Sequence, residues 1–342
     1  ALDPNNSDAF ALQSIVAVTQ NEKGKALELA RKAVESDPKS ATARIAISYA
    51  QQAHFDLKGA LGSLEEAVKL APGNALAWAR LAELQQSFGY LDKSLDAAKK
   101  AVALNPDLSR TQTVLGFSHL TRIETKEARG AFEKAIKLDD ADPLPRLGIG
   151  LAKIRDGGLE EGRREIEIAM SLDPNNSLIR SYLGKAYYEE KRDKLATGQF
   201  DMAKSLDPSD PTPYFYDAIE KQTTNRPVEA LQDMEKAIAL NDNRAVYRSR
   251  MLLDDDLAAR SASIGRIYND LGFQQRALVE GWKSLNYDPA NYSAHRFQAD
   301  LYAALPRNEI ARVSELLQSQ LLQPVNITPI QPRLAESNLL AI

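Results

Sequence analysis

The residues best suited to chemistry are scattered along the chain. There are three histidines, His54, His119 and His295, and no cysteine. None of the histidines has a second histidine within a helical turn, so the paired arrangement that binds zinc on a helix is missing. Three consecutive aspartates occupy 254–256, but neighbouring side chains on a helix point in different directions. This run therefore indicates a solvated turn or a helix cap, and we predict no metal ion and no cofactor.

Sequence signatures of catalysis are missing as well. The chain has no phosphate-binding Gly-Lys-Ser/Thr loop and no nucleophile elbow. Gly157–Gly158 is predicted to be a turn between helices. Carboxylates are numerous but alternate with Lys and Arg, which is typical of exposed helix faces. We therefore predict that the protein is not an enzyme.

Composition and length limit the classes of protein that remain. Of the 342 residues, 44% are hydrophobic and 26% charged, too apolar a mixture for a disordered chain. The formal net charge is −4 with no basic block, so no nucleic-acid footprint is indicated. There is no run of about 18 apolar residues and no signal-peptide pattern. Because a single core rarely exceeds about 250–300 residues, the chain is either two domains or an elongated repeat stack.

Prolines at a constant spacing favour the repeat stack. They mark a period of about 34 residues, with aspartate at two of the eight marks: Pro4, Pro38, Pro72, Pro106, Asp140, Pro174, Pro208 and Asp242. An apolar helix end followed by Asp or Asn and then Pro stops one helix and starts the next. The next proline in this series, Pro289, comes later than one further period would place it, which indicates an insertion before it.

Small residues also recur at fixed places when each unit is counted from the third residue after its mark. Offset 8 holds Ser, Ala or Gly, and offset 20 holds mostly Ala. Offset 27 holds Ala33, Ala67, Ala101, Ala135, Ala169, Ala203 and Ala237. A small side chain lets two helix backbones approach closely, and a larger one would overpack by about 1–3 kcal/mol. Apolar residues at helical spacing on both sides of a polar turn predict two helices per unit.

These residues resemble the tetratricopeptide repeat over nearly the whole chain. The markers that carry the resemblance are Trp78, Gly184, Tyr187, Ala196, Phe200, Ala203 and Pro208. Unit 177–210 matches best, with six of seven marker positions and only Arg180 departing. The resemblance implies an all-α, right-handed superhelical solenoid of about nine helix-turn-helix units, with a concave face lined by the first helix of each unit.

The period divides the chain into segments. Residues 1–6 are predicted to be the tail of a preceding repeat, so that the chain starts inside a longer protein, and 7–244 to be seven regular units. An insertion at 245–257 either lengthens the next first helix or forms a short helix of its own. Two further units are predicted at 258–325. Residues 326–342 are expected to be an extended segment packed on the last repeat, or a linker.

The family geometry predicts a partner-binding surface. Offsets 2, 5, 6, 9, 12 and 13 of the first helices would face the concave side, and aromatic residues and arginines at such places are typical of interface hot spots. The candidates are Tyr49, Arg80, Arg110, Phe117, Tyr182, Lys185, Tyr188, Phe215, Tyr216, Arg266 and Arg296. We therefore expect a scaffold that binds a protein or peptide segment. The alternative is a structural spacer or self-associating module, which would be a homo-oligomer without a peptide ligand.

Residues 244–340 also resemble the repeat region of bacterial envelope proteins in which such repeats precede an outer-membrane β-barrel. This second resemblance implies a bacterial protein, with a periplasmic or cell-envelope location and no direct membrane insertion of the present chain. A cytoplasmic location is the alternative.

Overall fold

A computed structural model describes residues 6–20, 22–240, 253–305 and 308–323. These residues contain eighteen α-helices and no strand, as the repeat pattern predicts. The described residues up to Pro174 form one compact unit, and those from Asn175 onward form a second. Within the described parts of the chain, none of the helices combines the length and the apolar character that a membrane span requires.

The first unit consists of five helical hairpins. Their first helices are α1 (Ser7–Thr19), α3 (Ala41–Ala53), α5 (Ala75–Ser87), α7 (Ser109–Thr121) and α9 (Pro143–Arg155). Their second helices are α2 (Lys23–Ser36), α4 (Leu57–Leu70), α6 (Leu91–Leu104), α8 (Thr125–Leu138) and α10 (Leu159–Leu172). Each first helix packs on its own second helix and on the first helix of the next hairpin, so the first helices form a continuous layer.

The second unit has four hairpins among its described residues. The first helices are α11 (Ser177–Glu189), α13 (Pro211–Thr223), α15 (Leu253–Asp270) and α17 (Tyr292–Ala303). The second helices are α12 (Asp193–Leu206), α14 (Pro227–Ala239), α16 (Gln274–Tyr287) and α18 (Glu309–Leu322). Consecutive first helices are again in contact.

The insertion expected at 245–257 is described only in part. Helix α15 begins at Leu253, so residues 253–257, including the three aspartates, belong to the backbone of a lengthened first helix. Residues 245–252 lie outside the described residues, as do 1–5 and the C-terminal segment expected at 326–342.

Polar residues at the repeat junctions explain why each first helix starts where it does. In most hairpins the side chain of an Asn, Ser or Asp immediately before the helix accepts a hydrogen bond from a backbone N–H of the first turn, as Asn176 does from Ile179 at 3.2 Å. This bond satisfies one of the four N–H groups that a helix start leaves without a partner. The polar strings at the repeat junctions, which contain Asp-Pro, therefore end one helix and begin the next.

The small residues at the repeat offsets allow the hairpins to close. Every alanine at offset 27 is fully buried. At Gly184, offset 8 of its unit, a methyl group would come within 2.6 Å of the Phe200 ring on the facing helix. Helix contact at these points leaves no room for a larger side chain, which is the packing that the sequence pattern predicts.

Enlarging one of these alanines should destabilise the stack. Ala203→Leu places three extra carbons at a fully buried contact, and we expect the free energy of unfolding to fall by about 1–3 kcal/mol because the helices must move apart. Urea unfolding followed by circular dichroism measures the change. Ala103→Leu, on the exposed side of α6, is the control and should alter stability little. Equal losses in the two variants would contradict the packing role of offset 27.

Most of the described turns between paired helices contain one residue with positive φ. Three of these turns have glycine there, but Ile123 occupies the place between α7 and α8 with φ 67°. A β-branched residue in this left-handed region costs about 1–2 kcal/mol relative to a right-handed conformation. Its side chain is mostly exposed, so packing does not compensate.

Replacing this residue with glycine should therefore stabilise the protein. We expect Ile123→Gly to raise the free energy of unfolding by about 0.5–1 kcal/mol, the relief of strain less the larger backbone entropy that glycine has in the unfolded chain. A thermal melt beside Ile123→Ala is the measurement, because alanine keeps the strain. No gain for glycine over alanine would argue against a strained turn.

Candidate partner-binding face

Three consecutive first helices of the first unit bring together five polar and aromatic side chains, which we call the arginine cluster: Tyr49, Gln52, Arg80, Glu83 and Arg110. The guanidinium carbon of Arg80 lies 4.0 Å from the ring centroid of Tyr49. Its Nη1 lies 3.1 Å from Glu83 Oε2, and its Nη2 donates to Gln52 Oε1. Arg110 Nη2 is 2.5 Å from Glu83 Oε1. One carboxylate is therefore held between two guanidinium groups.

Repeat spacing and helix periodicity together build the arginine cluster. Tyr49 and Gln52 are three residues apart on α3, and Arg80 and Glu83 are three apart on α5, so each pair shares one helix face. Tyr49 and Glu83 occupy the same offset in consecutive repeats. The stacked repeats bring these equivalent faces side by side, and Arg110 reaches Glu83 from the first turn of α7.

The arginine cluster itself contains two guanidinium groups and one carboxylate. Glu83, as the largest cause, raises the pKa of Arg110, so this guanidinium stays protonated. Burial, with a smaller contribution from Glu83, raises the pKa of the Tyr49 phenol, which stays neutral. Arg80 is buried, whereas 36% of the Arg110 side chain is exposed. The accessible part of the cluster is thus a cation beside a neutral phenol.

Taken together, the five first helices of the first unit have the same sign of charge. Helices α1, α3, α5, α7 and α9 carry only two acidic residues, Asp8 and Glu83. Their basic residues are Arg44, Arg80, Arg110, Arg146, Lys153 and Arg155. The layer of first helices is therefore basic, although the whole chain has a net charge of −4.

In the second unit, several predicted contact residues are buried instead of exposed. Tyr188, Phe215 and Tyr216 are only 8%, 5% and 3% exposed. The Phe215 and Tyr216 rings lie 5.5 Å apart, and Lys185 Nζ is 5.2 Å from the Tyr216 centroid. Large aromatic rings contribute more to the stability of the fold when they are buried than when they are exposed to water. Tyr182 and Lys185, which are half-buried, are the predicted residues of α11 that remain accessible.

Phe117 likewise contributes to packing. Its ring meets Phe132 of α8 edge to face, with centroids 4.9 Å apart, and is half-buried. Its backbone carbonyl accepts a hydrogen bond from Gln86 of the preceding first helix. Phe117 therefore joins two repeats, and the structure does not bring it into the arginine cluster.

The two predicted arginines near the end of the chain have partners of their own. Arg266 of α15 donates to Ser293 Oγ at 3.2 Å, and burial lowers its pKa to about 10, so it remains charged at neutral pH. Arg296 Nε lies 3.2 Å from Asp300, one turn further along α17. These residues hold adjoining helices or turns, and they form no continuous cluster like that of the first unit.

Two members of the arginine cluster, Gln52 and Glu83, were not predicted from the sequence. They occupy offsets 12 and 9, which the family geometry assigns to the concave face. Neither is an aromatic residue or a cation, the residue types that indicate an interface hot spot. Glu83 is nevertheless the residue that links the two arginines, so the offset was the better signal than the residue type.

A second ionic cluster shows that not all carboxylates lie on exposed faces, contrary to the expectation from the sequence. Asp217 is fully buried, and both Lys204 and Lys221 contact it. The same two lysines contact Asp233, with Lys204 Nζ at 2.9 Å. We call these four residues the buried salt-bridge cluster. Since each lysine lies between two aspartates, the charges balance and the burial is tolerated.

The repeat offsets of the buried salt-bridge cluster indicate that it contributes to packing between paired helices. Lys221 and Asp233 lie at offsets 11 and 23, and the same offsets hold Lys153 and Glu165, 2.8 Å apart, in another repeat. Offset 11 is where unit 177–210 has its aromatic marker, Tyr187. Lys221 and Asp233 thus place an ion pair at an offset where unit 177–210 has a buried aromatic side chain. Because Asp217 has no exposed surface, no substrate could reach it without unfolding.

The histidines serve the repeat packing. His119 Nδ1 is 2.6 Å from Glu124, across the turn that follows α7. His295 Nδ1 is 2.5 Å from Glu315 of α18, and its Nε2 is 2.9 Å from the carbonyl oxygen of Pro289. Among the residues that the structure describes, no three acidic, histidine or cysteine side chains are grouped so as to hold a metal ion.

Comparison with known proteins gives a family match for part of the chain and structural matches for most of it. Residues 147–211 match the family profile described as tetratricopeptide repeat. A chain of the APC/C hetero-tetramer Cut9–Hcn1 superposes with a TM-score of 0.77 and 18% identity, over 94% of the present chain and 61% of that chain. The present chain therefore spans less than two thirds of this relative. None of the curated proteins matches the sequence.

Two further solved structures have the same fold. A tetratricopeptide repeat protein from Parabacteroides merdae superposes with a TM-score of 0.52 and 16% identity, over 73% of this chain and 96% of that one. The human IFIT1 dimer with PPP-AAAA superposes with a TM-score of 0.57 and 16% identity, over 88% and 69%. At these identities the likeness shows the fold alone. It confirms the prediction of an all-α tetratricopeptide-type solenoid.

Glu220, next to the buried salt-bridge cluster, should make stability depend on pH. It is buried, its Oε2 has no hydrogen-bond partner, and burial, followed by the nearby Asp217, raises its pKa. A raised carboxyl pKa favours the folded state below the unfolded pKa, and this advantage is lost as pH rises through the folded value. We expect Glu220→Gln to stabilise the protein by about 1 kcal/mol at pH 7 and by much less near pH 4.

Thermal melts between pH 4 and pH 8 would measure this difference. The control is Glu133→Gln, because Glu133 is exposed on α8 and its replacement should give a small difference that does not change with pH. A Glu220→Gln variant that is less stable than the parent at pH 7 would show that the charge of Glu220 is well compensated.

Proposed function

We propose that this chain, a tetratricopeptide-type solenoid, is a protein-interaction scaffold that binds an acidic partner segment on the first-helix face of its first unit. The arginine cluster is the anchor, and Arg110 is its accessible contact. The observation that supports the proposal is the Arg110 side chain, which is 36% exposed and shares the single carboxylate of Glu83 with Arg80. No catalytic role is assigned to any residue.

The geometry suits recognition of a carboxylate. Arg110 is already oriented by Glu83, so little side-chain entropy is lost when a ligand binds. An arginine can donate to a second carboxylate while it keeps one partner, because the guanidinium has five N–H donors. The surrounding basic residues of the first helices would attract an acidic segment at longer range. Tyr49, which stacks on Arg80, provides an aromatic surface beside the cation.

Tyr182 and Lys185 are the corresponding candidates in the second unit. They share one face of α11, three residues apart, and both are half-buried. A half-buried tyrosine next to a lysine can contact both an apolar and an acidic group. We assign them a supporting contact within their own unit. The buried rings of Tyr188, Phe215 and Tyr216 would hold this face in place rather than meet the partner.

A structural spacer remains the alternative function. In that case the first-helix layer would only set a distance or would pair with a second copy, and the charge of Arg110 would not matter. An envelope setting is a separate proposal, which depends on the sequence resemblance of residues 244–340. The partner we propose is a protein and not a nucleic acid, since the basic residues of the first helices are interleaved with buried packing residues and form no continuous block.

A peptide-display experiment tests the scaffold proposal directly. The full chain would be panned against a random 12-residue peptide library, and enriched peptides would be measured for binding by titration calorimetry. We expect Asp- and Glu-rich peptides, whose binding weakens as salt rises. Reversing the anchor charge with Arg110→Glu should reduce their affinity by about tenfold or more, because an acid would then face an acid.

The matched control is Lys99→Glu, which makes the same charge reversal on the exposed side of α6. It should leave the affinity nearly unchanged. Peptides without acidic residues, or acidic peptides that bind the two variants equally, would remove the arginine cluster from the proposal. Failure to enrich any peptide would favour the spacer.

A further inference from the structure

The ninth residue of the second helices differs in type between α2–α14 and the last two described second helices, α16 and α18. In seven successive second helices, from α2 to α14, the ninth residue is charged: Arg31, Glu65, Lys99, Glu133, Glu167, Asp201 and Glu235. In α16 and α18 the ninth residue is Trp282 and Leu317. Since the position is charged elsewhere, it is one that normally faces water.

Both replacements leave large apolar side chains exposed. Trp282 is 49% exposed and Leu317 is 52% exposed. On α18, Leu317 is accompanied by three more exposed residues, Ile310, Val313 and Leu321. Their spacing of three, four and four places them on one face of the helix. We call these four residues the α18 stripe.

An exposed apolar stripe of this kind is typical of a contact surface, because an uncovered apolar helix face lowers solubility. Helix α18 is the last helix of the described residues. The residues that follow it, 324–342, contain one basic and one acidic residue and seven large apolar ones: Val325, Ile327, Ile330, Leu334, Leu339, Leu340 and Ile342. The chemistry of this segment therefore matches that of the stripe.

The same segment has a backbone that suits an extended conformation. Prolines at 324, 329 and 332 remove backbone donors and fix φ, so that a helix cannot continue through them. From Ile310 to Leu321, the α18 stripe is about 17 Å long at the rise of a helix. An extended chain of about six residues covers this length at about 3.1 Å per residue. Residues 327–334 are therefore long enough to cover the stripe.

We propose that residues 324–342 dock in an extended conformation along α18 and cover its apolar stripe, with Ile330 near Leu317. The segment would act as an intramolecular cap of the second unit. Tethering supports this occupant over a free partner, because the segment is covalently joined to the end of α18 and so is present at high effective concentration. The cap is independent of the arginine cluster and of any partner bound there.

The absence of cysteine makes a disulfide test unambiguous. In the full chain, Leu317→Cys and Ile330→Cys would be combined and oxidised at low protein concentration. We expect an intramolecular disulfide, seen as faster migration on a non-reducing gel and located by mass spectrometry. The matched control pairs Ile330→Cys with Glu235→Cys, which is the ninth residue of α14, and should form little of this product.

Each other result of the disulfide test would overturn the proposal. A covalent dimer through Cys at 317 would mean that a second copy covers the stripe. Equal intramolecular yields from the test pair and the control pair would mean that the segment has no preferred place. If neither an intramolecular disulfide nor a covalent dimer forms, the segment does not reach α18.

Limited trypsin digestion provides a second measurement without cysteines. Arg333 is the basic residue of the segment, and docking should protect the bond that follows it. Leu317→Glu introduces a charged residue of the kind found at this position in the second helices α2 to α14, so the fold should tolerate it. We expect cleavage after Arg333 to accelerate about tenfold, because cleavage follows the population of the undocked segment.

The control for digestion is Leu172→Glu, which changes another half-exposed leucine at the end of a second helix in the first unit. It should leave the rate of cleavage after Arg333 unchanged. Circular dichroism of both variants verifies that the helices are retained. Cleavage after Arg333 at the parent rate in the Leu317→Glu variant would show that the stripe does not hold the segment.

Discussion

Close approach of paired helices is the constraint on which the rest of this structure depends. The alanines at offset 27 have no exposed surface, and Gly184 faces the ring of Phe200 with no room for a methyl group. Small side chains at the contact set the distance between the helices, and the large ones beside them fill the remaining volume. Because the same contact recurs in every repeat, equivalent offsets of neighbouring first helices come side by side within each unit. The arginine cluster is a product of this repetition, since its members come from three different hairpins.

The two ionic clusters of this structure differ in whether their charges balance. In the buried salt-bridge cluster, two lysines contact two aspartates, and their charges cancel inside the stack. In the arginine cluster, two guanidinium groups share the single carboxylate of Glu83, so one positive charge remains at a partly exposed position. In a balanced buried cluster each charge has a partner, which offsets the cost of removing it from water. An unbalanced charge on a preorganised side chain is instead available to a ligand, and this contrast is why we assign the partner contact to the arginine cluster.

The candidate site was predictable in part. Repeat phase identified Tyr49, Arg80 and Arg110, which the structure brings into one cluster. The same phase selected Tyr188, Phe215 and Tyr216, which are buried, because phase identifies a direction on the helix but not how closely the neighbouring helix approaches. Glu83 and Gln52 lie at offsets that the family geometry assigns to the concave face, but neither is an aromatic residue or a cation. Their importance depends on hydrogen bonds across repeats, and no property of a single repeat indicates such bonds.

The sequence by itself determined the fold class and the presence of two helices in each repeat. The constant repeat period, the small residues at fixed offsets and the Asp-Pro junctions are local signals whose geometry repeats, so each can be recognised without knowledge of its neighbours. Only the tertiary structure decided which charged residues are buried in pairs and which remain partly exposed. Asp217 and Glu83 are both acidic residues of a first helix, yet one is fully buried between two lysines and the other, partly exposed, links a buried arginine to a partly exposed one. The reason is that burial and charge balance depend on the side chains that adjoining repeats contribute, and these side chains are distant in the sequence but in contact in space.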